Sequence, residues 1–182
     1  MKVMVLFDMD REIKVDDTFS PRSLRASARP TEADVISTLQ RLGHELATLP
    51  VFDDPHVIMA KLKAFQPDVV FNLTESLYLD RMHAPNIPAL LELLQVRYTG
   101  ATPRALLLCA DKSLAKELLS FHRVRYPRFV LSRKSHPLRR IRRLAFPVFV
   151  KPVAEEASDG IAKASFAKNE EEALERAHFI HK

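Results

Sequence analysis

Two lysines stand where they could do chemistry. Lys151 ends an apolar run, Phe146 to Val150, and is followed by a polar loop, Val153 to Asp159, and then by Gly160-Ile161. A lysine leaving a strand beside a hydroxyl-bearing loop can hold a phosphate, because the ammonium is a compact charge and loop N–H groups can converge on the anion. Lys112 follows Asp111 at what reads as the first turn of a helix. The helix dipole disfavours a cation there by up to about 1 kcal/mol, so reaching out to a bound phosphate is one reason for its presence. The other reading of the Lys151 stretch is a β-hairpin with an acidic turn and a solvated lysine.

A second set lies at the end of the apolar segment VVFNL, where Asn72, Thr74 and Glu75 follow one another closely. In a parallel sheet, polar groups at the carboxyl ends of strands line the usual ligand crevice. These three are therefore candidates for substrate contacts, and equally for caps of the next turn.

The elements that must position these groups alternate. Lys2 to Phe7 reads as an internal parallel strand. Residues 8–30 show no periodicity and read as a long loop of the kind that often lies over a site. Thr31 to Asp34 gives a capping signal for a helix with Val35, Ile36, Leu39 and Leu42 on one face, stopped by Gly43. His44 to Val51 reads as a strand, Asp54-Pro55 opens a helix to about Phe65, and Pro85 or Pro88 opens another before a short strand, VRYTG. Strand–helix alternation of this kind predicts an α/β fold with a Rossmann-like parallel sheet.

After Gly100 the character changes. Thr102-Pro103 caps a helix to about Ala110, and Asp111 caps a second one with Leu114, Leu118 and Leu119 as its apolar face. Residues 128–132 read as a strand, 136–144 as a short basic helix, and 160–166 as the partner of the Phe146 strand. Asn169 with Glu170, Glu171 and Glu172 opens a final helix, the acids lying at its positive end.

Composition narrows the function classes. The chain has 182 residues, 47% of them hydrophobic and 28% charged, with a net charge of +5. That describes a globular protein with a real core. No apolar run is long enough to span a bilayer, and MKVMVLFDMD reads as a strand, not a signal peptide. The single cysteine, Cys109, sits in an apolar helical stretch and reads as a buried thiol in a reducing, cytoplasmic compartment. With three glycines there is neither GxGxxG nor GxxxxGK[ST], so a dinucleotide fingerprint and a P-loop are excluded. No cysteine pair or HExxH suggests zinc, and His178 and His181 read as surface residues. Arg133, Lys134, Arg139, Arg140, Arg142 and Arg143 form a basic cluster that reads as a solvated face, with polyanion binding as the other use.

Three collinear blocks, PDVVFNLTE, IPALLELLQVRYTGATPRALLLCADKSLAKELL and FPVFVKPVAEEASDGI, resemble the ATP-grasp superfamily, in particular its D-alanine–D-alanine ligase-like branch. The resemblance implies a Rossmann-like pre-ATP-grasp domain over residues 1–101 and the N-terminal part of an ATP-grasp domain over 102–182, its first α+β subdomain. It implies ATP and magnesium as cofactors, with Lys112 and Lys151 on the phosphates and Glu155, Ser158 and Gly160 in a loop that closes over them. The implied function is ATP-dependent carboxylate–amine ligation through an acyl phosphate, on an amino-acid or peptide-like substrate. The family also implies a homodimer, and neither a membrane nor nucleic acid is an expected partner.

Where D-alanine ligases typically show EGSS, this loop reads EEAS, with Glu156 and Ala157 in place of a glycine and a serine. Asp10-Arg11-Glu12-Ile13 echoes part of the ligases' glutamate–serine substrate motif at a shorter distance from the first strand. The catalytic residues and magnesium ligands of the family are expected beyond Lys182, so the 182 residues alone are expected to be catalytically incomplete. A second reading stays open beside the ligase: a non-catalytic nucleotide-binding or interaction module, a degenerate or split ATP-grasp half.

Overall fold

β1 (Lys2–Asp8) is the strand on which the first part of the molecule is layered. A computed structural model describes residues 1–14, 17, 19–155 and 158–182. The chain divides into two compact units, Met1–Leu106 and Leu107–Lys182.

In the first unit β1 is the centre of a parallel sheet in the order β2-β1-β3, with β2 at Glu45–Val51 and β3 at Val69–Asn72. Val3 to Phe7 are all buried, so both faces of β1 are covered. The alternation of a strand sends successive side chains to opposite faces. Met4 and Leu6 join Val51, Ile58, Val70, Ile87 and Leu91, whereas Val5 and Phe7 join Met9, Leu24, Ala33 and Ile36. The first face is closed by α3 (His56–Phe65) and α4 (Asn86–Leu93), the second by α1 (Pro21–Ala26) and α2 (Pro30–Arg41). Register places Asp8 opposite Val51 and Leu6 opposite Asn72, so the β1 and β3 carboxyl ends lie side by side. The expected VRYTG strand reduces to a parallel bridge of Tyr98 to Val70, held by the Val70 N–H donating to Arg97 O and the Thr99 N–H to Val70 O.

Two local expectations for this unit fail. The segment read as loop contains α1, whose Ser20 hydroxyl accepts a hydrogen bond from the Ser23 N–H; at six residues it is too short for a visible apolar period. α2 begins at Pro30, ahead of the expected Thr31 cap, because proline's fixed φ suits the first helical position. Arg29 takes the capping position without a capping side-chain bond and turns to other partners.

The second unit holds α6 (Lys112–Phe121), α7 (Glu170–His181) and an antiparallel pair of β4 (Val148–Phe149) with β5 (Phe166–Ala167). α5 (Pro103–Ala110) runs across the division between the units. The Phe146–Val150 run therefore pairs over two residues, extended by the Val150 N–H donating to Ser165 O at 2.7 Å. Its expected partner starts as a turn at Gly160, passes through a 3-10 turn at Lys163–Ser165 and becomes a strand only at Phe166.

Neither the strand at 128–132 nor the helix at 136–144 forms, and a single Arg133–His136 bridge marks that stretch. The arginines at 139, 140, 142 and 143 explain the missing helix. Like charges one turn apart repel, and no acid lies between Leu118 and Ala154 to offset them.

α6 is turned the other way from its apolar pattern. Leu114, Leu118 and Leu119 are 43%, 42% and 37% exposed, while Ser113 is buried and Lys112 and Lys116 are half-buried. Cys109 is exposed, not buried.

Candidate functional site

The first candidate is a cleft of about 420 Å³ at the carboxyl ends of β1 and β3, lined by Asp8, Arg29, Glu32, Asn72, Thr74 and Glu75 with Thr31 and Leu73. Asn72 Oδ1 accepts from the Thr74 N–H at 3.2 Å and from its hydroxyl at 2.7 Å, so these two side chains cap each other's turn. The Asn72 N–H donates to Thr99 Oγ1 at 3.1 Å. The Asp8 carboxylate then fixes the next residues, accepting from the Glu75 N–H at 2.8 Å and from the Ser76 hydroxyl at 2.6 Å. Asn72, Thr74 and Glu75 thus line one cleft, the first two as turn caps, with the Glu75 carboxylate reaching toward Arg81 at 3.8 Å.

Sequence reasoning passed over Asp8 and Arg29. Arg29 donates to Asp8 O at 2.7 Å and to Glu32 Oε1 at 2.8 Å, and stands 3.7 Å from Asp10. Asp8 was visible as the acid that ends β1, a strand carboxyl end like that of Asn72. Arg29 has one local partner, Glu32 three residues on, but its bond to β1 and its approach to Asp10 carry no signal in the local sequence.

The second candidate lies wholly in the second unit. Asp111 caps α6, its carboxylate accepting from the Ser113 and Leu114 N–H groups and the Ser113 hydroxyl. The Ser113 hydroxyl bond, reinforced by the Leu114 N–H, holds that carboxyl below the usual range. Lys112 is thereby aimed at the loop after Lys151. Its N–H and its Nζ donate to Val153 O at 3.3 and 3.1 Å, and its Nζ also donates to Glu155 O. Lys151 is exposed, its Nζ 5.9 Å from the Phe149 ring centroid.

Across the loop, Ser158 and Gly160 both take left-handed backbone, at φ 69° and 70°, and Ser158 O accepts from the Ile161 N–H. Gly160 O accepts from Arg176 Nη2 at 2.5 Å, and that buried guanidinium lies 4.8 Å from the Phe179 ring. Glu156 and Ala157, the two departures from the ligase pattern, lie outside the described residues.

Lys116 is a further cation of this region that sequence reasoning missed. It sits one turn beyond Lys112, and its Nζ lies 4.7 Å from the Phe129 ring centroid. Burial and then the charge of Lys151 lower its pKa. The basic segment forms a groove of about 880 Å³ lined by Arg125, Arg128, Arg142 and Arg143 with Tyr126 and Phe129. Among the described residues no group of three His, Cys, Asp or Glu is placed to hold a metal ion, and no helix is long and apolar enough to cross a membrane. Lys112, Lys116 and Lys151 belong to one unit, with the Lys151 charge felt at Lys116; ammonium groups of this kind can hold phosphate oxygens.

No protein-family model matches the chain. Over 134 residues it is 33% identical to the uncharacterized protein y4sG of Sinorhizobium fredii, covering 70% of this chain and 38% of that one. Over 146 residues it is 31% identical to the D-alanine–D-alanine ligase of Francisella philomiragia, covering 79% of this chain and 45% of the ligase. The chain thus spans less than half the length of these relatives. All of it superposes on 54% of the D-alanine–D-alanine ligase of Bacillus anthracis, with a TM-score of 0.68 at 18% identity, and on the same ligase complexed with ATP at 0.64. By sequence and by fold, the chain corresponds to the N-terminal portion of the D-alanine–D-alanine ligase-like branch of the ATP-grasp superfamily.

Proposed function

We propose that this chain is the N-terminal portion of an ATP-dependent carboxylate–amine ligase, with residues 1–101 as the pre-ATP-grasp domain and 102–182 as the start of the ATP-grasp domain. Bound ATP with magnesium would supply the γ-phosphoryl group to a substrate carboxylate, releasing ADP, and an amine would then attack the acyl phosphate carbonyl with loss of inorganic phosphate. Lys112 and Lys151 hold the phosphate oxygens and offset the charge that develops on them. Glu155, Ser158 and Gly160 belong to the loop that covers the phosphates and keeps water away. Asn72, Thr74 and Glu75, the last held by Asp8, face an amino-acid or peptide-like substrate.

The observation that supports this reading best is the direction of Lys112. A cation at a helix start, where the dipole opposes it, is aimed at the backbone just after Lys151. Its present partners are neutral carbonyls, weak company for an ammonium that a phosphate oxygen would satisfy better.

The test is ATP binding by the 182-residue chain, measured by calorimetry, for the unaltered protein and for Lys112→Met and Lys151→Met. Each substitution removes a charge-assisted hydrogen bond worth about 1.5–3 kcal/mol, so affinity should fall roughly 10- to 100-fold. Unchanged affinity in both variants would remove the two lysines from the site.

A further inference from the structure

We propose that Lys116 is a third phosphate-binding residue, which, together with Lys112 and Lys151, makes the inward face of α6 a site for the anionic chain of a nucleoside triphosphate. This inference rests on the nucleotide reading above and adds a residue to it.

The first argument is the orientation of α6. An amphipathic helix ordinarily buries its leucines and leaves its lysines in water, since apolar burial is favourable and an ammonium is costly to desolvate. Here the reverse holds: Leu114 and Leu118 are exposed, while Lys112 and Lys116, four residues apart and so on one face, are drawn inward. Lys112 finds two backbone carbonyls. Lys116 finds the face of Phe129.

The second argument is the missing counter-charge. The groups that bear on Lys116 are Lys151 from the strand end, Lys112 from one turn earlier on its own helix, and the Phe129 ring from the following segment. Its sequence neighbour Glu117 is exposed, and no ion pair to Lys116 is present among the described residues. From Leu118 to Ala154 the chain carries no acidic residue at all. The ring recovers part of the lost hydration, but it supplies no negative charge. A half-buried ammonium beside a second one is destabilised, and an anion that bridges them removes that repulsion.

Physical consequences follow for pH. Burial and the Lys151 charge already make Lys116 easier to deprotonate than an ordinary lysine. A bound phosphate favours the charged form, so binding takes up a proton wherever free Lys116 is partly neutral. Affinity should therefore decline as pH rises toward the ordinary lysine value of about 10.4, starting below it. An arginine at the position stays charged throughout.

The experiment measures ATP affinity of the whole 182-residue chain by calorimetry, for the unaltered protein, Lys116→Met and Lys116→Arg, at neutral pH and at several values up to that limit. Lys116→Met keeps the stem that packs on Phe129, and thermal melts of each variant check that it folds. The expected result is a loss of about tenfold in Lys116→Met, the size of one charge-assisted contact. Lys116→Arg should retain binding and move the alkaline decline to higher pH. Affinity unchanged in folded Lys116→Met, or an alkaline decline that Lys116→Arg does not move, overturns the inference while leaving Lys112 and Lys151 in place. Failure of the unaltered chain to bind ATP overturns the nucleotide site as a whole, and this residue with it.

Discussion

Gly160 lies against Pro152 so closely that a Cβ at position 160 would stand 2.7 Å from the proline Cγ. The two residues bracket the loop after Lys151, and Arg176 holds the same glycine through its carbonyl. Gly160 is also at φ 70°, where any other residue is strained. Gly160→Ala should therefore destabilise the protein by about 1–3 kcal/mol, from left-handed strain and the contact with a rigid ring together. A thermal melt reads this directly. A melting temperature equal to that of the unaltered chain would mean that Pro152 yields freely and that the loop ends are not held together.

Asp8 plays the corresponding part in the first unit. Its two oxygens accept from the Glu75 N–H and the Ser76 hydroxyl, and so tie the turn after β3 to the end of β1. Asp8→Ala leaves both donors without their partner and should cost about 1–3 kcal/mol; Asp8→Asn, which keeps one acceptor, should cost less. The urea midpoint measures both, with an unchanged slope showing that the denatured state is not altered. Equal midpoints for Asp8→Ala and the unaltered chain would show that the carboxylate does not order this turn.

β1 and α7 form where residue patterns place them, and the reasons are local. Val3 to Phe7 is a continuous apolar run, which suits a strand covered on both faces, and Asn169 caps α7 by accepting from the Glu172 N–H at 3.0 Å. The positions of Asn72 and Thr74 were legible for the same kind of reason, since both follow a strand end. Arg29 and Lys116 were not. Each is a long side chain with partners on other elements, and helical periodicity says nothing about such partners. The pattern on α6 even pointed the wrong way, because it assumes that the leucines are what the helix buries. The segment from His122 to Pro147 failed for a different reason: its arginines and prolines fit neither regular element, and the described backbone is largely irregular there.

Tyr98 gives a test at alkaline pH. Its hydroxyl donates to Glu92 Oε1 at 2.6 Å, beside the parallel bridge to Val70. Burial, and then the hydrogen bond and charge of Glu92, push the phenol up to about 12. An unfolded tyrosine titrates near 10. The raised folded value means that the protonated phenol contributes stability fully below about pH 10, and that this contribution is lost as pH rises through about 12. Ultraviolet or carbon-13 titration of the tyrosines should show one late phenol, absent in Tyr98→Phe. Glu92→Gln should move it back toward the ordinary value. A Tyr98 that titrates near 10 in the folded chain would mean that the Glu92 bond is not made in solution.

The outward leucines of α6 make the last prediction, and it bears on the lysines opposite. Leu118 is 42% exposed and Leu114 is 43% exposed, so a polar residue at either position gives up little apolar burial. Leu118→Gln should change the unfolding free energy of this chain by no more than about 0.5 kcal/mol, the range of an ordinary surface substitution. Leu91, fully buried beneath the first sheet, sets the contrast: Leu91→Ala should cost about 2–5 kcal/mol. Denaturant unfolding of the two variants beside the unaltered protein separates these cases clearly. If Leu118→Gln cost as much as Leu91→Ala, α6 would have to bury its leucines instead. A helix turned that way would carry Lys112 and Lys116 into solvent, and the proposed phosphate site would lose two of its three cations.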